Sequence, residues 1–142
     1  QEWSEPVQIS TMNGSDNEPD LCVDHNGVLH CVWSHKISQN YRKIYYSKSV
    51  DQGGTWSAPE DVSQNTSLWM SNPRIATDSE NRLYLAYDYN AGSPANMHVL
   101  LRKQTQAGWS PPDTVTAGMP GSRFNKLIID NKKILQLGKI IS

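Results

Sequence analysis

Arg74 and Trp69 are of residue types that hold ligands, and they stand five positions apart. A guanidinium at the start of a strand either clamps an anion or serves as a solvated, salt-bridged surface group. The indole of Trp69, flanked by Leu68 and Met70 in a polar loop, either offers a flat platform to the apolar face of a pyranose or plugs a gap between packed sheets. The residues themselves leave both alternatives open. Metal chemistry is not expected: His25 falls in a turn, His30 and His98 on strands and His35 at a loop start, and no pair has ligand spacing. The run Asp16-Asn-Glu18 with Asp20 is acidic but lacks the spacing of a calcium loop and reads as a solvated loop. There is no nucleophile elbow, phosphate-cradling glycine loop or Cys/His pair, so no cofactor is expected.

The 142 residues carry a formal net charge of −1 with 37% hydrophobic content, which bounds the chain to one globular domain. Lys and Arg are scattered rather than massed, so no nucleic-acid partner is expected. The longest apolar runs are a few residues, and Gln1-Glu2-Trp3 has neither a basic start nor an apolar segment, which predicts no membrane insertion and no signal peptide within the chain. A leader removed ahead of Gln1 would fit an exported protein. Cys22 and Cys31 fall on the two arms of one hairpin. If Asp24 and Gly27 close its turn, Cys22 lies opposite Leu29 and Cys31 is its diagonal neighbour on the same face, roughly 7–8 Å away and beyond comfortable disulfide reach. Their repeat counterparts Ala76 and Leu85 are apolar, so both cysteines read as small core residues.

The elements that must position these side chains are announced by repetition. Trp3-Ser4, Trp56-Ser57 and Trp109-Ser110 recur at a step of 53 residues (56 − 3 and 109 − 56), each opening an octet with a shared Pro and a β-branched residue. Between the octets runs a second repeated block, Pro19 to Trp33 and Pro73 to Tyr87, each an apolar strand, a turn and another strand. Asp24 or Asp78 starts the turn and Gly27 or Asn81, tolerant of positive φ, ends it. A third copy, Leu127 to Leu137, follows. No stretch keeps a helical period for more than two turns, so the expected class is all-β, with a period that points to four-stranded propeller blades.

Lettered A to D outward, the first blade is expected to hold strands at 20–24, 28–34, 43–49 and 58–63, and the second at 74–78, 82–88, 97–103 and 112–117. The organisation is then an orphan outer strand in 1–17, a blade over 18–64, a blade over 71–117 and a partial blade over 124–142. One orphan, two sets of four and a final pair make eleven strands, about 2.5 to 3 blades, and propellers close with about four to eight. Such a chain requires either the remaining blades of a longer chain or a homo-oligomer, because open apolar edges are adhesive.

Ser49-Val-Asp51-Gln-Gly53-Gly-Thr55-Trp56 fits Ser-x-Asp-x-Gly-x-Thr-Trp at every specified position, between strands C and D. Here the chain resembles the Asp-box, or bacterial neuraminidase repeat, propellers, whose best-known members are the sialidases. In the second repeat the same place reads Arg102-Lys-Gln-Thr-Gln-Ala-Gly-Trp109, which keeps the Trp alone. Asp51 is expected to accept backbone N–H groups, Gly53 to supply an unusual φ and Trp56 to bury its ring, which makes the box a turn device rather than a catalytic site.

The resemblance implies a ligand site at the channel mouth, lined by A-strand starts (Asp20, Arg74, Lys126) and by the D-to-A and B-to-C loops. It makes Arg74, Trp69, Asp20, Tyr41 and Arg123 the binding candidates, with Arg42 marginal. It also implies, for an enzyme, three carboxylate-binding arginines, a Tyr nucleophile activated by a Glu, an Asp acid/base and an Arg-Ile-Pro motif. Pro73-Arg74-Ile75 has those residue types in another order, so that role does not transfer to Arg74, and no catalytic residue is assigned. The expected function is a non-catalytic module binding a glycan or small carbohydrate, on a secreted or cell-surface protein. The alternatives are an exo-sialidase or related glycosidase with its catalytic residues largely outside this chain, and a structural protein-interaction propeller.

Overall fold

A computed structural model describes residues 2–63, 69–90, 92–93, 96–116, 123–129 and 135–140, with the side chains of 123–126 and 135–140 outside the description. The described elements are all β. The first blade is a four-stranded antiparallel sheet of β1 (Ser15–Val23), β2 (Leu29–Ser38), β3 (Tyr41–Ser49) and β4 (Glu60–Asp61), in that order. The second places β5 (Trp69–Thr77), β6 (Leu83–Asn90) and β7 (Met97–Thr105) side by side. Both β8 (Gly108–Trp109) and β9 (Asp113–Thr114) pair with β7. A third sheet contains β10 (Arg123–Ile129) and β11 (Leu135–Ile140).

The two A-to-B turns form as their residue types require. The Asp24 carboxylate accepts the N–H groups of Asn26 (2.8 Å) and Val28 (2.9 Å), and Asp78 accepts those of Glu80 (2.9 Å) and Arg82 (3.0 Å). Gly27 (φ 79°) and Asn81 (φ 61°) close the turns in the left-handed region. Asn81 also accepts the His25 N–H at 2.9 Å, tying one blade's turn to the next.

Period-two alternation makes the blades stack. Along β6, Leu83, Leu85 and Tyr87 join a core with Val32, Ile44, Tyr46 and Val62 of the first blade, completed by Met70, Ile75, Leu100 and Trp109. The intervening Tyr84 and Ala86 face the other way, into a cluster with Val99, Leu101 and Leu127 of the third sheet. A strand covered on both faces must be apolar at nearly every position, as Leu-Tyr-Leu-Ala-Tyr is. Each such aliphatic side chain contributes about 1.5–3 kcal/mol by leaving water. Tyr46 meets Trp109 edge-on across the joint, centroids 5.6 Å apart.

Several expectations need correction. Residues 2–10 form no strand, and Trp3 is 99% exposed, so the orphan outer strand is absent. Strands β4 and β9 exist by pairing onto β3 and β7, and among the described residues nothing plays that part for Val7–Ser10. The total of eleven strands is reached differently, through the extra β8. The D strands are two residues each: Pro59, Pro111 and Pro112 supply no N–H just ahead of them, and beyond them Val62 and Val115 still donate to Ile44 O and Val99 O. The hairpin register is one residue from that expected: Cys22 lies opposite His30, and Cys31 opposite Leu21. The cysteines therefore point to opposite faces as free thiols, with pKa values pushed up by burial to about 12 and about 11.

Candidate functional site

The A strands also begin earlier than expected, and this moves the site. β1 opens at Ser15 and β5 at Trp69, each passing through a register shift, at Asn17/Asp20 and at Ser71/Arg74. Glu18 (φ 55°) and Asn72 (φ 58°) stand at these irregularities in the left-handed region, each directly before a proline and 54 residues apart (72 − 18). The pairing resumes beyond each proline instead of starting there. Asp20 and Arg74 are consequently mid-strand, opposite Val32 and Ala86, rather than at a rim.

What reaches the rim is a partly different set. A cleft of about 800 Å³ opens between the two complete blades at the end where β5 starts, within the roughly 300–1,000 Å³ of small-molecule sites. The first blade contributes Glu18, Asn40 and Arg42; the second contributes Trp69, Ser71, Asn72, Asp88, Asn90, Gly92 and Met97. The sheet register brings the second set together, since Trp69 pairs with Asn90, Asn90 with Met97 and Ser71 with Asp88.

The two blades are hydrogen-bonded across the cleft. Glu18 Oε2 accepts the Asn72 N–H at 2.8 Å and the Ser34 hydroxyl at 3.0 Å, and lies 4.0 Å from Arg42 Nη1. Arg42 donates to Ser34 Oγ at 3.3 Å and lays its guanidinium 4.3 Å from the Trp69 ring centroid. Asn72 Nδ2 donates to Asp88 Oδ2 at 3.2 Å, and Asp88 is buried at 2% exposure. The site thus joins a half-buried indole, an arginine stacked on it, three side-chain amides, a serine hydroxyl and two carboxyl groups. Chemically it is suited to hydrogen-bonding a polar ligand along an apolar wall.

Of the candidates named from sequence, Trp69 lines this cleft, as the first residue of β5 rather than in a loop, and so does Arg42, named there as marginal. Arg74 is turned along its own strand, donating to Pro73 O (2.7 Å) and Asn72 Oδ1 (3.1 Å). Asp20 accepts the Ile75 N–H at 2.8 Å and fastens the innermost strands of adjacent blades to each other. Tyr41 opens β3 beside Lys43, whose Nζ is 6.0 Å from its ring, and does not line the cleft. Arg123 opens β10, and its side chain falls outside the description. Glu18, Asn72 and Asp88 were missed, although the repeated X-Pro at Glu18-Pro19 and Asn72-Pro73 was a visible signal.

The Ser49–Trp56 turn sits at the other end of the strands, where Gly53 abuts Leu29, the first residue of β2. Ser49 Oγ accepts the Gly53 N–H at 2.8 Å and donates to Asp51 Oδ1 at 2.7 Å. The Asp51 carboxylate accepts the Thr55 N–H (2.8 Å) and hydroxyl (2.7 Å), and these bonds, with that from Ser49, lower its pKa to about 2. Gln52 (φ 59°) and Gly53 (φ 92°) turn the chain. Trp56 is half-buried, whereas Trp109 is buried at 8% exposure.

No protein-family model matches the sequence, and no curated protein matches it. Solved structures do share the fold. The Hadza microbial sialidase Hz136 matches 72% of this chain with a TM-score of 0.60 at 16% identity, and Trypanosoma rangeli sialidase matches 89% with a TM-score of 0.56 at 14% identity. The chain spans 26% and 27% of those two proteins. At such identities the likeness is one of architecture: the chain has a sialidase-like, all-β fold that forms part of a propeller.

Proposed function

We propose that this chain is a non-catalytic, sialidase-fold module that binds carbohydrate in the cleft beside Trp69. The observation that carries the reading is the composition of that cleft: an aromatic wall faced by three amides, a hydroxyl and carboxyl groups, at the end of the blades away from the Ser49–Trp56 turn. Sugars present alternating apolar faces and hydroxyl edges, and this is the lining such a surface needs. The Glu18 carboxylate is engaged by Ser34, Asn72 and Arg42, which fits a binding wall better than a group activating a nucleophile. On this reading the Ser49–Trp56 turn is an Asp-box of the bacterial neuraminidase repeat with a purely architectural part, and the protein acts outside the cell or at its surface.

The reading extends to partners. Leu21 and Val23 on β1 are 52% and 55% exposed, while Ile75, the repeat counterpart of Leu21, is buried at 4% against the first blade. The exposed face of β1 is therefore suited to receive a further blade of the same repeat, supplied by a longer chain or a second copy.

Binding is tested by titrating the 142-residue chain with a panel of oligosaccharides while following tryptophan fluorescence and amide chemical shifts. Shifts clustered at Trp69, Asn72 and Asn90, and lost in Trp69→Ala, are expected. Hydrolysis of a fluorogenic sialoside by this chain would overturn the non-catalytic reading, and no binding to any glycan would overturn the carbohydrate reading.

A further inference from the structure

We infer that the cleft selects uncharged, polyhydroxylated glycans and discriminates against those whose terminal sugar carries a carboxylate. This rests on the proposed reading of the cleft as a carbohydrate site and names the class of sugar it takes.

The charges lining the cleft run against an anionic ligand. Among the described lining residues one guanidinium, Arg42, stands against two carboxyl groups, Glu18 and Asp88. Clamping a carboxylate bidentately needs a free arginine fork. Arg42 instead spends its face on Trp69 and its Nη1 on Ser34 and Glu18. Arg74 is bound to Pro73 O and Asn72 Oδ1 and does not line the cleft. An incoming carboxylate would meet Glu18, 38% exposed at its side chain, with the compensating positive charge already committed.

Hydroxyl groups face no such conflict. A carboxylate accepts from two neighbouring hydroxyls, and each side-chain amide both donates and accepts, so Glu18, Asn40 and Asn90 match a diol at several points. Trp69 and Met97 supply apolar surface for the C–H face of the ring. The selection is thus electrostatic: repulsion of the charged sugar with retention of the neutral one.

The test uses an array of oligosaccharides in matched pairs, each present uncapped and capped with sialic acid, probed with the 142-residue chain at low and high salt. The uncapped members should be retained more strongly, on the order of tenfold, as expected of one like-charge pair near a protein surface. High salt should narrow that gap by screening, and Glu18→Gln, which keeps an acceptor oxygen but removes the charge, should narrow it at low salt. Equal or stronger retention of the capped members would overturn the inference while leaving the carbohydrate reading standing. A preference indifferent to both salt and Glu18→Gln would make the selection steric and overturn it as well. Retention of neither form would overturn the carbohydrate reading and this inference with it.

Discussion

The two complete blades reach equivalent serines by different chemistry. In the first, the Ser57 N–H donates to Lys48 O and its hydroxyl accepts the Lys48 N–H; in the second, Ser110 makes the same pair of bonds with Lys103. The first turn is held by its own side chains, Ser49, Asp51 and Thr55, and Asp51 and Thr55 are exposed. The second is a tight hairpin closed by Gly108 (φ 110°), and the work passes to Arg102, which is fully buried. Arg102 donates to Ser110 O (2.6 Å), to Trp109 O (3.0 Å) and, across the joint, to Val62 O of the first blade. A turn built from its own residues is self-sufficient. One held by a buried guanidinium depends on the neighbouring blade to complete its hydrogen bonds.

The strongest way to break this comparison is Arg102→Ala. It strands three carbonyls and leaves a cavity, so unfolding free energy should fall by about 3 kcal/mol or more, read as a shifted denaturation midpoint. A loss comparable to an ordinary surface substitution would show that the joint does not depend on Arg102.

Asp51→Ala should be the next largest. It removes the acceptor for two Thr55 bonds, lowering the melting temperature by less than Arg102→Ala, while amide shifts at Trp69 and Asn72 stay unchanged at the far end of the strands. A variant as stable as the parent would mean that Gln52 and Gly53 hold the turn without the carboxylate.

The pH dependence of that gap sharpens the point. The folded-state pKa of Asp51, about 2, lies below its ordinary 3.8. Its stabilisation is complete above pH 3.8 and is lost as pH falls toward 2, because the unfolded chain takes up the proton first. Parent and Asp51→Ala melting temperatures should converge across that window. A gap that persists to pH 2 would detach the stabilisation from the charge.

Smallest are the two serines where the blades agree. Ser57→Ala and Ser110→Ala should each cost about 0.5–1.5 kcal/mol, and nearly equally, in chemical denaturation. Unequal losses would show that the shared bonds are shared in geometry alone.

Much of the fold was legible because it is written in local chemistry. Asp24 with Gly27 and Asp78 with Asn81 dictate their turns whatever surrounds them, and the alternation of β6 declares a strand buried on both faces. The constant Trp step was more deceptive. It set Arg102 against Ser49, whereas pairing sets Arg102, opposite Leu85, against Ser47, opposite Cys31, two positions away. Two residues lost from the C-to-D turn are balanced by residues gained earlier in the repeat, so the sum hides the shift.

The candidate site was less legible for a related reason. Trp69 could be named from its residue type, but Glu18 and Asn72 depend on bulges that carry each A strand back through a proline, and although an asparagine tolerates a left-handed φ, a glutamate does not announce one. By itself the sequence determined the repeat, the class of fold, the turns and the hydrogen-bonding role of Asp51, because each follows from interactions within a few residues. Only the tertiary structure decided that Arg42 would lie on Trp69, that Glu18 would receive the N–H of Asn72, and that Asp20 would fasten one blade to the next. Those contacts join residues whose proximity is created by the stacking of separate blades, which no local spacing encodes.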